Sequence, residues 1–277
     1  MMKSNWHQHL KLKNSNYSEL AKRDLLDGFK HWKIWFYFCF QELKRRYKRT
    51  KLGPLWVTLT MAFFAGAISL VWSNLWNQPV KQYLPFLLSG LIPWQQFAMN
   101  IGEGCIAFCA GENQIKSKQF PYSIIIYSCV FRNILLFAHN FLVFIAVFFI
   151  CNVDFNSNSL YFIPGYILFI VNLGWITFLV SMINLRFRDF QQVITVFLQI
   201  AMLITPIFWP ISQLTGLRSL LYELNPLYHL IVVIRNPLLG ETVATHSFII
   251  VILMAVIGWI VSASIFIKIR KSIIYWL

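Results

Sequence analysis

The chain has 277 residues, of which 58% are apolar and only 12% charged, with a mean hydropathy of +0.60 and a formal net charge of +14. A soluble domain carries about 25% charged residues, so a surface this poor in charge excludes a protein bathed in water on every side. The cations argue against a nucleic-acid partner, because thirteen of the 24 Lys and Arg sit in one block, Lys3 to Lys51, beside the first apolar run, where they read as a topology signal.

Residues 1–54 form a polar, basic N-terminal region, and 55–277 carry the apolar runs. A cleaved signal peptide would place its apolar core nearer Met1, so none is predicted. Within the N-terminal region, Lys30–Arg49 has Trp32, Trp35, Phe36, Cys39, Leu43 and Tyr47 at spacings of three and four. Lys33, Gln41, Lys44, Arg45 and Lys48 occupy the other side, and Phe38 and Phe40 blur the stripe. Such a helix lies in the membrane interface or, alternatively, packs as a soluble amphipathic helix on a partner.

Six candidate spans follow: Leu55–Trp76, Leu84–Ala107, Tyr122–Ile150, Leu160–Asn184, Val193–Trp209 and Phe248–Ile269. Each approaches or exceeds the length of about 20 residues that a bilayer requires, the fifth being the shortest. Backbone groups in hydrocarbon have no water partner, so these runs are helical, and the fold class is an all-α integral membrane protein. Between the last two spans, Pro210–Ser247 is too apolar for an exposed loop and is interrupted by Pro226 and Pro237. It reads as a re-entrant pair of short helices or as a cap lying flat on the membrane.

Positive-inside counting places the N-terminal cations, Lys116, Lys118, Arg186, Arg188, Lys268, Arg270 and Lys271 in the cytoplasm, against Lys81, Arg218 and Arg235 on the other side. Both termini are then cytoplasmic. Cys39, Cys105, Cys109, Cys129 and Cys151 are scattered and read as small apolar fillers, with no metal site expected.

No GxxxxGK[ST] loop occurs, so the chain does not hydrolyse ATP by that route, and neither a Gly-x-Ser-x-Gly elbow nor a His-Glu-x-x-His motif is found. Apart from Lys268 at the edge of the last span, only Glu103, Arg132 and His139 are ionisable within the spans. Glu103 and Arg132 are placed to pair across neighbouring helices. An ion-coupled carrier needs buried relays, so energy for uphill movement would come from another chain.

Several strings, in order, resemble the permease subunits of bacterial polysaccharide ABC exporters, which handle O-antigen, capsule and teichoic acid. Arg46 to Trp56 is similar to the approach to the family's first span, and Ser89-Gly90-Leu91-Ile92-Pro93-Trp94 to its second, where Gly90 and Pro93 would loosen the helix. Asn113 to Pro121 resembles the loop between the second and third spans, Asn184 to Asp189 the turn before the fifth, and Thr205-Pro206-Ile207-Phe208 its end. Asn225-Pro226-Leu227 and Arg235 to Gly240 complete the series.

The resemblance implies a non-enzymatic transport subunit in the bacterial inner membrane. It implies a homodimer surrounded by membrane lipids, each copy docked on a separate ATP-binding-cassette ATPase that holds ATP and Mg. This chain itself would hold no cofactor. The cargo would be a lipid-linked polysaccharide leaving the cytoplasm. The interface helix (Trp32, Trp35, Phe36, Leu43, Arg46, Tyr47) would border the ATPase. Asn113, Ile115, Lys116, Lys118, Phe120 and Pro121 would form the coupling segment, with Ile115 and Phe120 as apolar plugs and the lysines as contacts or as topology charges. Spans one and five would wall the pore, offering Phe63, Phe64, Trp72, Trp76, Phe197, Phe208 and Trp209 to the sugar faces, or to an interfacial belt. The alternatives are a membrane-embedded enzyme acting on lipid-linked sugars, which needs clustered His, Asp or Glu, and a non-energised channel.

Overall fold

The computed structural model describes residues 17–75, 77–117, 121–211 and 220–277. The described residues form helices and turns, without a strand. The helices are α1 (Tyr17–Lys30), α2 (Trp32–Tyr47), α3 (Leu55–Leu75), α4 (Val80–Ala110), α5 (Glu112–Ser117) and α6 (Ser123–Cys151). After a 3-10 turn at Ser157–Tyr161 come α7 (Phe162–Arg186), α8 (Phe190–Ile204), α9 (Leu220–Glu223), α10 (Pro226–Leu238), α11 (Thr245–Ile269) and α12 (Ile273–Trp276). The all-α membrane architecture expected from composition is what forms.

Among the described residues, four stretches are both long and apolar enough to cross a bilayer: α3, α6, the unit Ser157–Arg186 and α11. The other two predicted spans are helical but depart from that description in different ways. At 31 residues α4 has ample length, yet it carries Gln95, Gln96, Asn100 and Glu103. It packs against α3, α6, α7, α8 and α10, and that sheath of neighbours is what makes polar side chains tolerable at this depth. In contrast, α8 is apolar but has 15 residues, a length of about 22 Å against a hydrocarbon core of about 30 Å.

The predicted continuation of that fifth span to Trp209 does not occur. Pro206 has no N–H to donate and disfavours helical backbone in the residue before it, so Thr205 turns extended at φ −78° and ψ 133°. Pro93, by contrast, stays inside an unbroken α4. Beyond the break, Asn225 caps α10 by accepting from the Leu227 N–H, and Pro226 occupies the first turn, where its missing donor costs nothing. Tyr228 to Arg235 are all buried, and α10 packs on α4, α7 and α11. Short helices before the last span are thus present, and α10 is packed into the bundle.

Small residues set the helix spacing. A Cβ on Gly165 of α7 would lie 2.1 Å from the Val233 carbonyl oxygen of α10, so the two backbones touch there. Met61, Ala65, Ser69 and Ser73, each four residues apart, form the buried stripe of α3, leaving most of that helix facing outward.

The N-terminal region also differs from expectation. The amphipathic segment starts after a break at His31, and a further helix, α1, precedes it. Asp24 of α1 joins Arg270, just past α11, with Nη2 2.8 Å from Oδ2, and accepts the Ser123 N–H at the start of α6. Both ends of the described chain consequently lie at one end of the bundle, as an even number of crossings requires.

Candidate functional site

At the end where the termini meet, α2 lies along α6. Its predicted apolar stripe is split between two surroundings. Trp35 packs edge-on against Phe131 with centroids 5.1 Å apart, and Cys39 is fully buried, while Leu43 and Tyr47 are half-buried. Trp32 is 52% exposed, and Phe36, Tyr37 and Phe40 are exposed beside it. One side of α2 thus seats on the bundle and an aromatic side faces out, the arrangement of a helix held at a membrane surface.

Charge fixes the seat. Arg132 of α6 donates from Nε (3.0 Å) and Nη2 (2.6 Å) to Glu103 Oε2 of α4, the pair expected from sequence. Two further members come from α2: Glu42 accepts from Arg132 Nη1, and Arg46 Nη2 lies 2.5 Å from Glu103 Oε1. The four side chains alternate in sign, so each buried charge has a counter-charge and the desolvation cost is offset. Beside them is a cavity of about 140 Å³, walled by α2, α4, α5 and α6 and reaching Gln114 and Gly111.

The loop expected to couple to a partner contains the short helix α5. Asn113 and Lys116 are exposed, with Lys116 Nζ 2.6 Å from Glu112 Oε1. Ile115 is 4% exposed, in one cluster with Ala21, Ala107 and Ile126, so it anchors α5 to its own chain and does not present a plug outward. Pro121 is buried beside the start of α6, and Lys118 and Phe120 lie outside the described residues.

At the opposite end three of the recognised strings converge. Arg235 of α10, counted on the outer side, is 4% exposed; Arg218 lies outside the described residues. Arg235 donates from Nη1 to Pro206 O (2.5 Å) and from Nη2 to Ile207 O (3.1 Å), and lies over the Phe86 ring at 4.5 Å. Gly90 faces it: a Cβ there would sit 1.8 Å from Nη2. The glycine expected to loosen α4 instead makes room for a guanidinium.

The aromatic candidates divide. Phe63 is 73% exposed on α3, and Phe64 and, on α8, Phe197 are exposed as well. Phe208 is 8% exposed and packs on the half-buried Trp72 with centroids 5.9 Å apart, so it offers no open face to a passing molecule. Trp209 is half-buried with its indole N–H on Leu203 O, and Trp76 is outside the described residues. Gln192, Thr195 and Gln199 form an exposed polar line on α8 that sequence reading passed over. Spacing of three and four residues was the available signal. Glu42, Asp24 and Arg270 were also missed as ion-pair partners, since nothing local to them names a residue 90 or 246 positions away.

A helical bundle with apolar spans, a surface helix and internally neutralised charges is an integral membrane protein. The sequence matches the family described as ABC-2 type transporter over residues 35–239, most of its length, and the chain belongs to that family. Among curated relatives, the O-antigen export system permease protein RfbA of Klebsiella pneumoniae is 26% identical over 234 residues, covering 83% of this chain and 89% of the relative. A second protein of that name and species is 27% identical with the same coverage. The Myxococcus xanthus protein of the same name is 24% identical over 196 residues, covering 69% of this chain and 74% of its own.

Proposed function

We propose that the chain is the membrane-spanning subunit of an ATP-driven exporter carrying a lipid-linked polysaccharide of the O-antigen kind out of the cytoplasm. The observation that carries this reading is the similarity, over most of both lengths, to permeases named for O-antigen export. Hydrolysis of ATP with Mg belongs to a separate ATPase, and two copies of this chain enclose the path. The end holding α1, α2 and α5 faces the cytoplasm of a bacterial inner membrane, in keeping with the thirteen cations at Lys3–Lys51.

In this reading α5 receives the push of the ATPase. Its buried Ile115 and the adjoining Pro121 transmit that push to α6, and the Glu42–Arg132–Glu103–Arg46 network carries α2 and α4 along. The exposed Phe63, Phe64 and Phe197, with the polar line Gln192, Thr195 and Gln199, supply a wall on which sugar can stack and slide.

The test is affinity purification of the tagged chain in mild detergent with mass spectrometry of what accompanies it. A near-equimolar ATPase is expected. Recovery of the chain alone, even after cross-linking in native membranes, overturns the reading. Replacing the exposed pair Asn113 and Lys116 by glutamate should abolish surface glycan at unchanged membrane content, and normal surface glycan would remove the coupling role from α5.

A further inference from the structure

The segment that ends α8 is held from outside at every residue. Thr205 Oγ1 accepts from Asn225 Nδ2 at 3.0 Å, Pro206 and Ile207 carbonyls accept from Arg235, and the Phe208 carbonyl accepts from Tyr83 Oη at 2.5 Å. None of the ion pairs among the described residues includes Arg235. A buried cation with no carboxylate within ion-pair distance is costly, Glu241 acting on it only from farther away, and packing alone would be served better by an apolar side chain. What an apolar side chain could not do is satisfy two carbonyls at once, which the planar fork of arginine does. Those carbonyls lie just beyond the C-terminus of α8, the negative end of its dipole, where a cation is favoured. Gly90 completes the fit, because any side chain there would occupy the place of the guanidinium.

We infer that Arg235 is a positioning residue that pins the Thr205–Phe208 break to α10 and α4. It thereby fixes where α8, the short fifth span, stands in the bundle. Its consequence for transport rests on the exporter reading above, whereas the pinning itself does not.

The experiment uses the full chain in native membranes with Ile207→Cys, a fully buried position, and a small membrane-permeable maleimide. The native Cys39, fully buried at the far end of the bundle, reports global loosening. Arg235→Met should raise the labelling rate at position 207 by about tenfold, as two buried hydrogen bonds are lost and the break opens locally. Cys39 should keep its parent rate, and Arg235→Lys, whose single nitrogen replaces the two of the planar fork, should fall between. Gly90→Ala should mimic Arg235→Met, and the two together should be no worse than either. A rate at position 207 within twofold of the parent, or Cys39 rising in step with it, overturns the inference. Should Arg235→Met fail to accumulate, Arg235→Lys and Gly90→Ala carry the same comparison. Surface glycan is measured in parallel: if labelling rises while glycan stays normal, the pinning stands and the exporter reading of α8 falls.

Discussion

Removing Arg132 offers a direct test of how the interface helix is attached. Arg132→Met keeps most of the side-chain length and deletes the charge that holds Glu103 and Glu42. Deleting one member of a buried ion pair costs about 3–5 kcal/mol, mainly because the abandoned charge has no water. Two features of the site push the expected loss to the lower end. Glu103 keeps Arg46 at 2.5 Å, and the Glu42 side chain is 34% exposed, so solvent screens it. The expected loss is therefore about 3 kcal/mol. It is measured by reversible unfolding in mixed micelles on titration with SDS, followed by tryptophan fluorescence. Arg132→Met/Glu103→Gln should lose less than the sum of the two single variants, since both remove the same Arg132–Glu103 pair. A loss below about 1 kcal/mol for Arg132→Met, or fully additive losses in the double variant, would show that the network does not stabilise the bundle as argued.

Two further tests concern packing and pH. A Cβ on Gly258 of α11 would lie 2.1 Å from Trp175 of α7, whereas one on Gly174 would lie 3.0 Å from Trp259. Gly258→Ala should therefore lose about 1–3 kcal/mol and Gly174→Ala clearly less, by the same unfolding assay; the reverse order would refute the packing account. Burial pushes the Asp24 carboxyl above its ordinary value of 3.8, against the opposing pull of Arg270 and the Ser123 amide. A carboxyl raised on folding binds its proton more tightly in the folded state. Its contribution to stability thus grows as pH falls through the folded pKa and levels off below 3.8. Wild type should gain stability relative to Asp24→Asn on acidification from pH 7, and a gap that moves the other way would contradict the sign.

The sequence determined what the bilayer dictates locally. Runs of apolar residues and the two-sided pattern of α2 are each decided by a residue and its near neighbours, whereas the stop before Pro206 falls inside the span expected to reach Trp209. Glu103–Arg132 was legible too, since two opposite charges on adjoining hydrophobic spans have few other partners. Only tertiary structure decided which helix is surrounded. Hydropathy does not register that α4 is sheathed by five others, so its glutamines and asparagine look like a weak span when they are an interior. The same limit hid Glu42 behind α2, Asp24 beneath Arg270 and Arg235 inside the bundle. A charge counted only for the side it marks is, in the fold, the donor of two hydrogen bonds at the end of α8. The physical reason is that the cost of burying a charge depends on what meets it there, and the partners that offset it come from distant parts of the chain.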